Sequence, residues 1–310
     1  MTMRLGFGLP QMKQYTVGQD VPMVARRAEE IGYDSLWVFE RVLFPENPTQ
    51  GLYGIPGLPW PGTYRSVADP LVVLALAAAV TERPRLGSSV LVAPLHGPFQ
   101  LARTLATLDA ASNGRMVAGF GTGWSLDEYA AAAVVPFEER GAALDELLDV
   151  CAAVWGPDPV SYEGRNTVVR EAEVGPKPVT PIPVYLAAGG GRALERVARR
   201  ADGWLPTGEP AQALGARWRQ LTEQAASFGR APDALDFCVR ANVRLTPTAL
   251  PDAERSPFTG AVEQIVADVA AHAAVGADEV LLDLQSSARD GKELTDLAAE
   301  LYTAVRGAGI

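Results

Sequence analysis

PVYLAAGGGRALERVARRADGW, residues 183–204, contains a strand, a loop, a helix and the start of a second strand. The apolar run 184–187 predicts a strand, and the glycines at 189–191 end it. Residues 191–201 have the apolar spacing of a helix, and 203–205 predict the next strand. A helix that connects two neighbouring strands makes them pair in parallel. This stretch therefore predicts one β/α unit of a parallel sheet.

The same alternation of strand and helix runs along the whole chain. Strands are predicted at residues 4–9, 35–39, 86–92, 116–120, 184–187, 203–205, 236–245 and 279–284. Helices are predicted at 21–31, 70–81, 98–112, 137–155, 191–201, 211–228, 259–275 and 293–305. Eight such units predict a (β/α)8 TIM barrel, with the active site at the carboxyl ends of its strands. A doubly wound open sheet fits less well, because the strand count is high and no composition break divides residues 1–310, which we expect to form a single domain.

Two segments are longer than the usual loops of such units. Residues 41–67, after strand two, are rich in proline and glycine and contain Phe44, Tyr53, Trp60 and Tyr64. We interpret this insertion as a lid over an apolar substrate, with an ordinary packed surface loop as the alternative. Residues 160–174, before strand five, predict a small hairpin on the opposite, amino-terminal face of the barrel. We assign this hairpin no chemistry.

Composition and charge exclude several classes of protein. The formal net charge of −10 repels phosphate backbones, so nucleic acid is not an expected partner. The longest apolar run, residues 71–80, is too short to cross a bilayer, and residues 1–10 lack the apolar core of a signal peptide, so a cytoplasmic protein is expected. Cys151 and Cys238 have no metal-ligand spacing, and we predict neither a metal site nor a disulfide.

Two glycine loops are the strongest local signals of a ligand site. Gly119-Phe120-Gly121-Thr122-Gly123-Trp124 ends predicted strand four, where glycines allow close backbone approach and the Thr122 hydroxyl suits a phosphate oxygen. A simple tight turn is the alternative. Ala187-Ala188-Gly189-Gly190-Gly191-Arg192 joins strand five to a helix whose N-terminus favours an anion. The expected ligand therefore carries a phosphate. Leu194 occupies the third glycine position of a dinucleotide fingerprint, which argues against a Rossmann dinucleotide-binding fold.

Few side chains are candidates for acid–base chemistry. Glu40 and Arg41 end strand two, where they could hold a polar ring edge or pair with each other. His96 follows strand three and could donate a proton, or else cap a backbone carbonyl. Alternation along strand seven places Arg240 and Arg244 on one face, and Asp283 of strand eight is predicted to neutralise them. His272, the other histidine, is interpreted as a residue of an outer helix.

These residues together resemble the luciferase-like monooxygenase superfamily and, within it, the F420-dependent oxidoreductases. The resemblance runs nearly end to end. It is carried by Gly32-Tyr33-Asp34-Ser35-Leu36-Trp37-Val38, by Leu86-Gly87-Ser88-Ser89-Val90-Leu91-Val92-Ala93-Pro94, by Ala106-Thr107-Leu108-Asp109 with Gly114-Arg115, and by the two glycine loops. Its most specific part is residues 183–190 together with Ala201-Asp202-Gly203-Trp204.

The resemblance implies a luciferase-like barrel, usually a homodimer, with an isoalloxazine-type ring across its carboxyl-terminal mouth. Coenzyme F420 is the preferred cofactor, and FMN is the alternative. A non-prolyl cis peptide behind the ring would fall at Ser89–Val90, and Glu40 would help to position the ring. The residues implied to hold the cofactor phosphate are Thr122, Gly123, Ala188, Gly189 and Gly190.

The chain also departs from its relatives. Many end strand two in Asp-His, and F420-dependent sugar-phosphate dehydrogenases carry a Glu directly after the Gly-Thr-Gly of strand four. Here these places hold Glu40-Arg41 and Trp124. We therefore expect a reductase rather than a sugar-phosphate dehydrogenase.

The expected chemistry is hydride transfer between C5 of the deazaflavin and a small organic substrate. Glu40 and His96 are the candidate proton donors, and Trp124 is a candidate wall of the substrate pocket. One alternative is an FMN-dependent monooxygenase that receives reduced flavin from a separate reductase. The other is a flavin-binding barrel without catalytic activity, suggested by the missing Asp-His pair.

Overall fold

Eight parallel strands close into a barrel in the computed structural model, which describes residues 2–231 and 233–310. The strands are β1 (Arg4–Gly8), β2 (Ser35–Val38), β3 (Arg85–Ser88), β4 (Leu91–Val92), β5 (Met116–Gly121), β6 (Val160–Glu163), β7 (Val168–Ala172), β8 (Val184–Leu186), β9 (Gly203–Trp204), β10 (Asp236–Asn242), β11 (Arg244–Leu245), β12 (Thr259–Gly260) and β13 (Glu279–Asp283). The α-helices are α1 (Val17–Ile31), α2 (Pro70–Ala78), α3 (Pro98–Ala111), α4 (Leu126–Ala132), α5 (Arg140–Trp155), α6 (Gly191–Arg200), α7 (Ala211–Ser227), α8 (Val262–Ala274) and α9 (Gly291–Gly307).

The barrel strands, in order, are β1, β2, β3, β5, β8, β9, β10 and β13, and each pairs in parallel with the next. Closure is made by β1 and β13, with Phe7 opposite Leu282 on one side and Leu36 on the other. The predicted (β/α)8 barrel is confirmed.

Two apolar layers hold the barrel. The larger lies between the strands and the surrounding helices, and the smaller fills the barrel interior. The interior contains Trp37 and Tyr185, whose rings fit because glycines face them: a Cβ on Gly87 would overlap Trp37, and one on Gly203 would overlap Tyr185. Close packing of this kind makes the interior a core rather than a pore.

Several element boundaries differ from the prediction. Predicted strand three is divided into β3 and β4 by a cis peptide between Ser89 and Val90, at the bond where the resemblance placed it. Predicted strand seven ends at Asn242, and its last residues form β11, which leaves the barrel and pairs with β12. The short α4 was not predicted, although Ser125 caps it by accepting a hydrogen bond from the Glu128 N–H at 3.3 Å.

The predicted hairpin before strand five is present as β6 and β7, but its predicted position is wrong. Glu146 of α5 accepts hydrogen bonds from the N–H groups of Asn166 at 2.7 Å and Thr167 at 3.0 Å, and from the Asn166 amide. Glu146 lies in the middle of α5 and lines one cavity together with the chain that follows β4, at the carboxyl end of the barrel. The tip therefore reaches that end and lines a cavity with Pro94 and His96.

The amino-terminal end of the barrel is closed by charges that the sequence analysis did not identify. Glu279 is fully buried and accepts hydrogen bonds from Arg4 Nε at 3.2 Å and Trp37 Nε1 at 2.9 Å. It also binds Arg85 and the Ser35 hydroxyl. A buried carboxylate is tolerated when it is paired and hydrogen-bonded in this way.

Candidate active site

A cavity of about 530 Å³ opens at the carboxyl-terminal mouth of the barrel. This volume is in the range of small-molecule and cofactor sites. Residues from several strand ends line it, as in other barrels of this type. From the predicted site they include Glu40, Ser89, Val90, Thr122, Gly123, Trp124, Ala188 and Gly189. We call this space the mouth cavity.

Glu40 follows Phe39, just after the end of β2, and is buried beside the mouth cavity. Each of its two carboxylate oxygens has a hydrogen-bond partner. Its Oε2 accepts a hydrogen bond from the Val92 N–H at 2.6 Å, and its Oε1 lies 2.8 Å from Nε2 of His96. Burial disfavours the protonated imidazole of His96, but the hydrogen bond and charge of Glu40, with a contribution from Asp69, raise its pKa above the ordinary value. The ring of His96 thus binds a carboxylate rather than a backbone carbonyl.

His96 faces a different space from the one that Glu40 lines. It lies in the wall of a second cavity, of about 760 Å³, between the chain that follows β4, the start of α5 and the hairpin tip. We call this space the side cavity. The two predicted acid–base residues are therefore brought into contact, but only Glu40 reaches the mouth.

Arg41 lines the mouth cavity together with Glu40 but does not pair with it, so the predicted option of a pair between these neighbours is wrong. Arg41 Nη1 instead lies 2.9 Å from Glu128 Oε2, and the Val42 N–H donates to Glu128 Oε1 at 2.9 Å. Burial raises the pKa of Glu128 above its usual range, although Arg41 and the Val42 N–H oppose that shift.

Trp124 forms an aromatic wall of the mouth cavity. The guanidinium of Arg41 lies 4.9 Å from the centre of its ring, within cation–π range. Trp60 packs against it at a centroid separation of 5.1 Å, and Tyr53 meets it at 5.6 Å. Trp124, Arg41 and the aromatic residues of the loop were each predicted to lie near the site, but the contacts of Arg41 with their rings were not predicted.

The proline- and glycine-rich loop lies over the mouth, as expected of a lid. Gln50 Nε2 donates to the Trp124 carbonyl at 2.6 Å, and the Thr49 N–H donates to Asp127 at 3.0 Å. Tyr53 and Tyr64 line the cavity from above. Closure of this loop over a substrate stays a prediction.

Arg240 lines the mouth cavity, a position that was not predicted from the sequence. Its predicted ion pair with Asp283 is confirmed, but Nη1 also donates to the Ser89 carbonyl at 2.8 Å and Nε to Asn242 at 3.0 Å. Arg240 thereby supports the backbone beside the cis peptide from inside the barrel. Arg244 does not share this face, because the strand breaks after Asn242 and leaves Arg244 exposed.

The surroundings of the glycines differ between the two glycine loops. A Cβ on Gly121 would come within 2.7 Å of Val90, and Gly123 has a φ of +70° with Val92 equally close to its Cβ position. At the start of α6, a Cβ on Gly189, Gly190 or Gly191 would meet no atom within 4 Å. The first loop is thus shaped by packing, whereas the second leaves a helix N-terminus facing open space. Gly190 lies just outside the cavity lining.

His272 is the other histidine of the chain. It is buried in α8, as expected, and both ring nitrogens face backbone carbonyls, those of Asp268 and Glu209. Among the described residues no cluster of three or more His, Cys, Asp or Glu side chains could hold a metal ion. Within the same residues, no helix is long and apolar enough to cross a membrane.

Comparison with known proteins agrees with this geometry. The luciferase-like monooxygenase family matches residues 4–294. The chain belongs to this family. Another member, the uncharacterized protein Rv0953c of Mycobacterium tuberculosis, is 35% identical over 239 residues, which cover 73% of this chain and 80% of that protein. Relatives and structural neighbours of this family member with a named activity are enzymes, and we class it as one.

An F420-dependent glucose-6-phosphate dehydrogenase of Kineococcus radiotolerans is 33% identical over 185 residues, which cover 59% of this chain and only 50% of that relative. Among solved structures, the monooxygenase RslO1 of Streptomyces bottropensis has a TM-score of 0.79 at 20% identity, covering 99% of this chain and 100% of that one. An F420-dependent secondary alcohol dehydrogenase with an F420–acetone adduct has a TM-score of 0.78 at 17% identity, with the same coverage. These two likenesses show the fold.

Proposed function

We propose that this family member is an F420-dependent oxidoreductase that reduces a small organic substrate with reduced coenzyme F420. The observation that carries the proposal is the mouth cavity, where Ser89, Val90, Glu40 and both glycine loops surround one space. The relatives named as F420-dependent enzymes, and a structural neighbour that holds F420, support this cofactor.

The residues present fit such a cofactor. The N-terminus of α6, a helix of ten residues, faces open space at Gly189 and Gly190, and its backbone N–H groups would hold the phosphate together with Thr122 and Gly123. Ser89 and Val90 line the cavity between β3 and β4 and would support one face of the ring. Arg240 and Arg41 are each paired with a carboxylate, so their charges are largely satisfied before a ligand binds.

When bound, F420 supplies a hydride from C5 of its deazaflavin ring. The chain supplies the rest of the chemistry. The Glu40 carboxylate is held at the cavity wall by the Val92 N–H and by His96, and this fixed position would let it pass a proton from His96 to the substrate. Trp124 and the lid would exclude water from an apolar substrate face.

We do not extend the sugar-phosphate activity of the named relatives to this chain. The place after Gly123 is taken by Trp124, and Arg41 is occupied by Glu128 and stacked on that ring. An aromatic wall favours an apolar or aromatic molecule, such as an activated alkene, imine or carbonyl compound.

The test is a comparison of two cofactors. Purified apo-protein is titrated with F420 and, separately, with FMN, and tryptophan-fluorescence quenching gives both dissociation constants at fixed ionic strength. Trp124 lines the cavity, so its fluorescence reports binding of either cofactor. We expect micromolar or tighter F420 binding and much weaker FMN binding. The reverse preference would favour a flavin enzyme, and binding of neither would refute the cofactor assignment.

An FMN-dependent monooxygenase is the second candidate. It is favoured by the fold likeness to the monooxygenase RslO1, and it would require reduced flavin from a separate reductase. Oxygen uptake with reduced FMN distinguishes it from hydride transfer. A non-catalytic flavin-binding barrel, the third hypothesis, would bind F420 and reduce no compound in a substrate screen.

We also propose that residues 1–310 form one domain and that the protein is a cytoplasmic homodimer. The continuous barrel from β1 to β13 supports the first statement. The dimer rests on the family resemblance, and the location is the expectation from the sequence given above. Light scattering on the purified protein tests the dimer, since it gives the mass directly.

A further inference from the structure

The side cavity has no part in the function proposed above, although it meets the proposed site at one point. His96 lies in its wall, Glu40 lies in the wall of the mouth cavity, and their 2.8 Å contact joins the two spaces. Only 22% of the His96 side chain is exposed, so its access to solvent runs through the side cavity. A titratable group thus separates two cavities.

We propose that His96 is the proton entry of the site: it takes protons from water in the side cavity and passes them to Glu40, which faces the mouth cavity. His96 therefore acts through Glu40 as a positioning and proton-supplying residue. This inference rests on the proposed reductase function, and it names the route by which the second cavity serves that function.

The stoichiometry of reduction requires such a supply. Adding a hydride to an activated C=X bond forms a C–H bond and leaves the electron pair on X, which then takes one proton. Glu40 gives that proton to X, His96 returns one to Glu40 across their hydrogen bond, and water in the side cavity restores His96. Each turnover oxidises one reduced deazaflavin. The proton drawn through His96 is balanced by the proton that the ring loses to solvent after the hydride has left, so two hydrogens pass overall from the cofactor to the substrate.

Geometry favours entry from the side. Cofactor and substrate would fill the mouth cavity beneath Tyr53, Tyr64 and Trp124, so water could not reach Glu40 from above. The side cavity, at about 760 Å³, has room for many water molecules and does not share its space with the ring.

The charged groups around His96 suit a protonated ring. Glu40 after β2 and Asp69 at the start of α2 both favour the imidazolium, whereas burial opposes it. The far side of the cavity is lined by Glu146 of α5 and Arg170 of β7, whose charges are opposite. The acidic groups next to the ring therefore hold the proton near Glu40.

The first experiment measures access without any turnover. Diethyl pyrocarbonate acylates accessible imidazoles, and mass mapping distinguishes His96 from the buried His272. We expect His96 to react at the same rate in apo-protein and in F420-saturated protein. Ala143→Trp, which places an indole in the side cavity, should slow the reaction roughly tenfold, because the indole narrows the approach to His96. Ala142→Trp, exposed one residue earlier, should not.

The second experiment follows the His96 ring by NMR during a pH titration. Two histidines make the assignment simple, and we expect His96 to titrate in F420-saturated protein as it does in apo-protein. Glu40→Gln should lower the pKa of His96, and Glu40→Asp should restore part of the difference. An unchanged His96 pKa in Glu40→Gln would show that the two groups are not coupled, and would overturn the proposed transfer between them.

Either of two further results would overturn the inference. Protection of His96 from acylation by F420, or loss of its titration in the F420 complex, would place its access at the mouth. Equal effects of Ala143→Trp and Ala142→Trp would show that the side cavity is not the route. Failure of the proposed function is distinct: F420 would then cause no fluorescence quenching, while the comparison of the two tryptophan variants in apo-protein would still test the side route.

Discussion

The two ends of the barrel bury similar residues for different purposes. At the amino end, Glu279 is surrounded by Arg4, Arg85, Ser35 and Trp37, and the network closes the barrel. At the carboxyl end, Glu40 is equally well buried, but its partners are one backbone N–H and a histidine, and a cavity opens beside it.

The difference is in what surrounds each carboxylate rather than in the carboxylate itself. The buried Glu279 is held in an ion-pair network, and its loss leaves Arg4 and Arg85 with Asp236 as their remaining carboxylate partner. A buried acid bonded to a histidine has a partner that can gain or lose a proton near neutral pH. The same side chain therefore stabilises one end of the fold and is available for proton transfer at the other.

The largest expected effect separates the two acids by stability. Glu279→Gln should lower the free energy of unfolding by about 3 kcal/mol, since it leaves Arg4 and Arg85 facing a neutral amide. Glu40→Gln keeps an acceptor for Val92 and should cost only about 1 kcal/mol. Urea denaturation of both variants measures the contrast, and equal losses would remove the distinction between the ends.

The next effect concerns cofactor affinity at the carboxyl end. Gly190→Asp places a carboxylate beside the N-terminus of α6, and we expect F420 to bind about tenfold more weakly, or about 1.4 kcal/mol, because the two anions repel. Gly190→Asn has nearly the same shape without the charge and is the matched control. Similar dissociation constants for both variants would mean that no phosphate binds there.

A smaller effect is expected at the aromatic wall. Arg41→Lys keeps the charge opposite Glu128 but loses the planar contact with Trp124, and should reduce stability by about 1 kcal/mol. Arg65, which is exposed over Phe44 and paired with Glu46, gives the control: Arg65→Lys should change little. Chemical denaturation compares the two, and a larger loss at residue 65 would contradict the assignment of Arg41 to the site wall.

The smallest effect is a dependence of stability on pH. His96 has a raised pKa in the folded protein, so its protonation stabilises the fold fully below the unfolded value of 6.5, and this contribution is lost as pH rises through the folded pKa. The difference in Tm between the native protein and His96→Gln should therefore be larger at pH 6 than at pH 8. A difference that grows with pH would show that His96 is neutral in the fold.

Local pattern was sufficient to predict the barrel. Each of its strands and each large helix has its own apolar period, and the β/α alternation allows few topologies. The exceptions are places where tertiary contacts decide: β11 leaves strand seven to pair with β12, and α4 is too short for a period. The cap Ser125-Leu126-Asp127-Glu128 was the available signal for α4.

The site was predicted less completely. Glycine loops are local features and could be found, as could the cis peptide through the family resemblance. Pairings between distant residues could not: His96 with Glu40, Arg41 with Glu128, and Arg240 with the Ser89 carbonyl each join segments that only the closed barrel brings together. The contact between Glu40 and His96 brings an acid and a histidine together, as the missing Asp-His pair of strand two would. Because the two residues come from different segments, the sequence pattern does not show it.

The first turn of α4 has a mechanical consequence. Glu128 binds Arg41 and Val42 at the start of the lid, Asp127 binds Thr49 further along it, and the same turn continues directly from Trp124. The lid and the Trp124 wall are therefore connected through the first turn of α4, so a movement of one would be transmitted to the other. A spectroscopic label on the lid would report the movement of the wall as well, and selection for a new substrate at Trp124 would act on the gate at the same time.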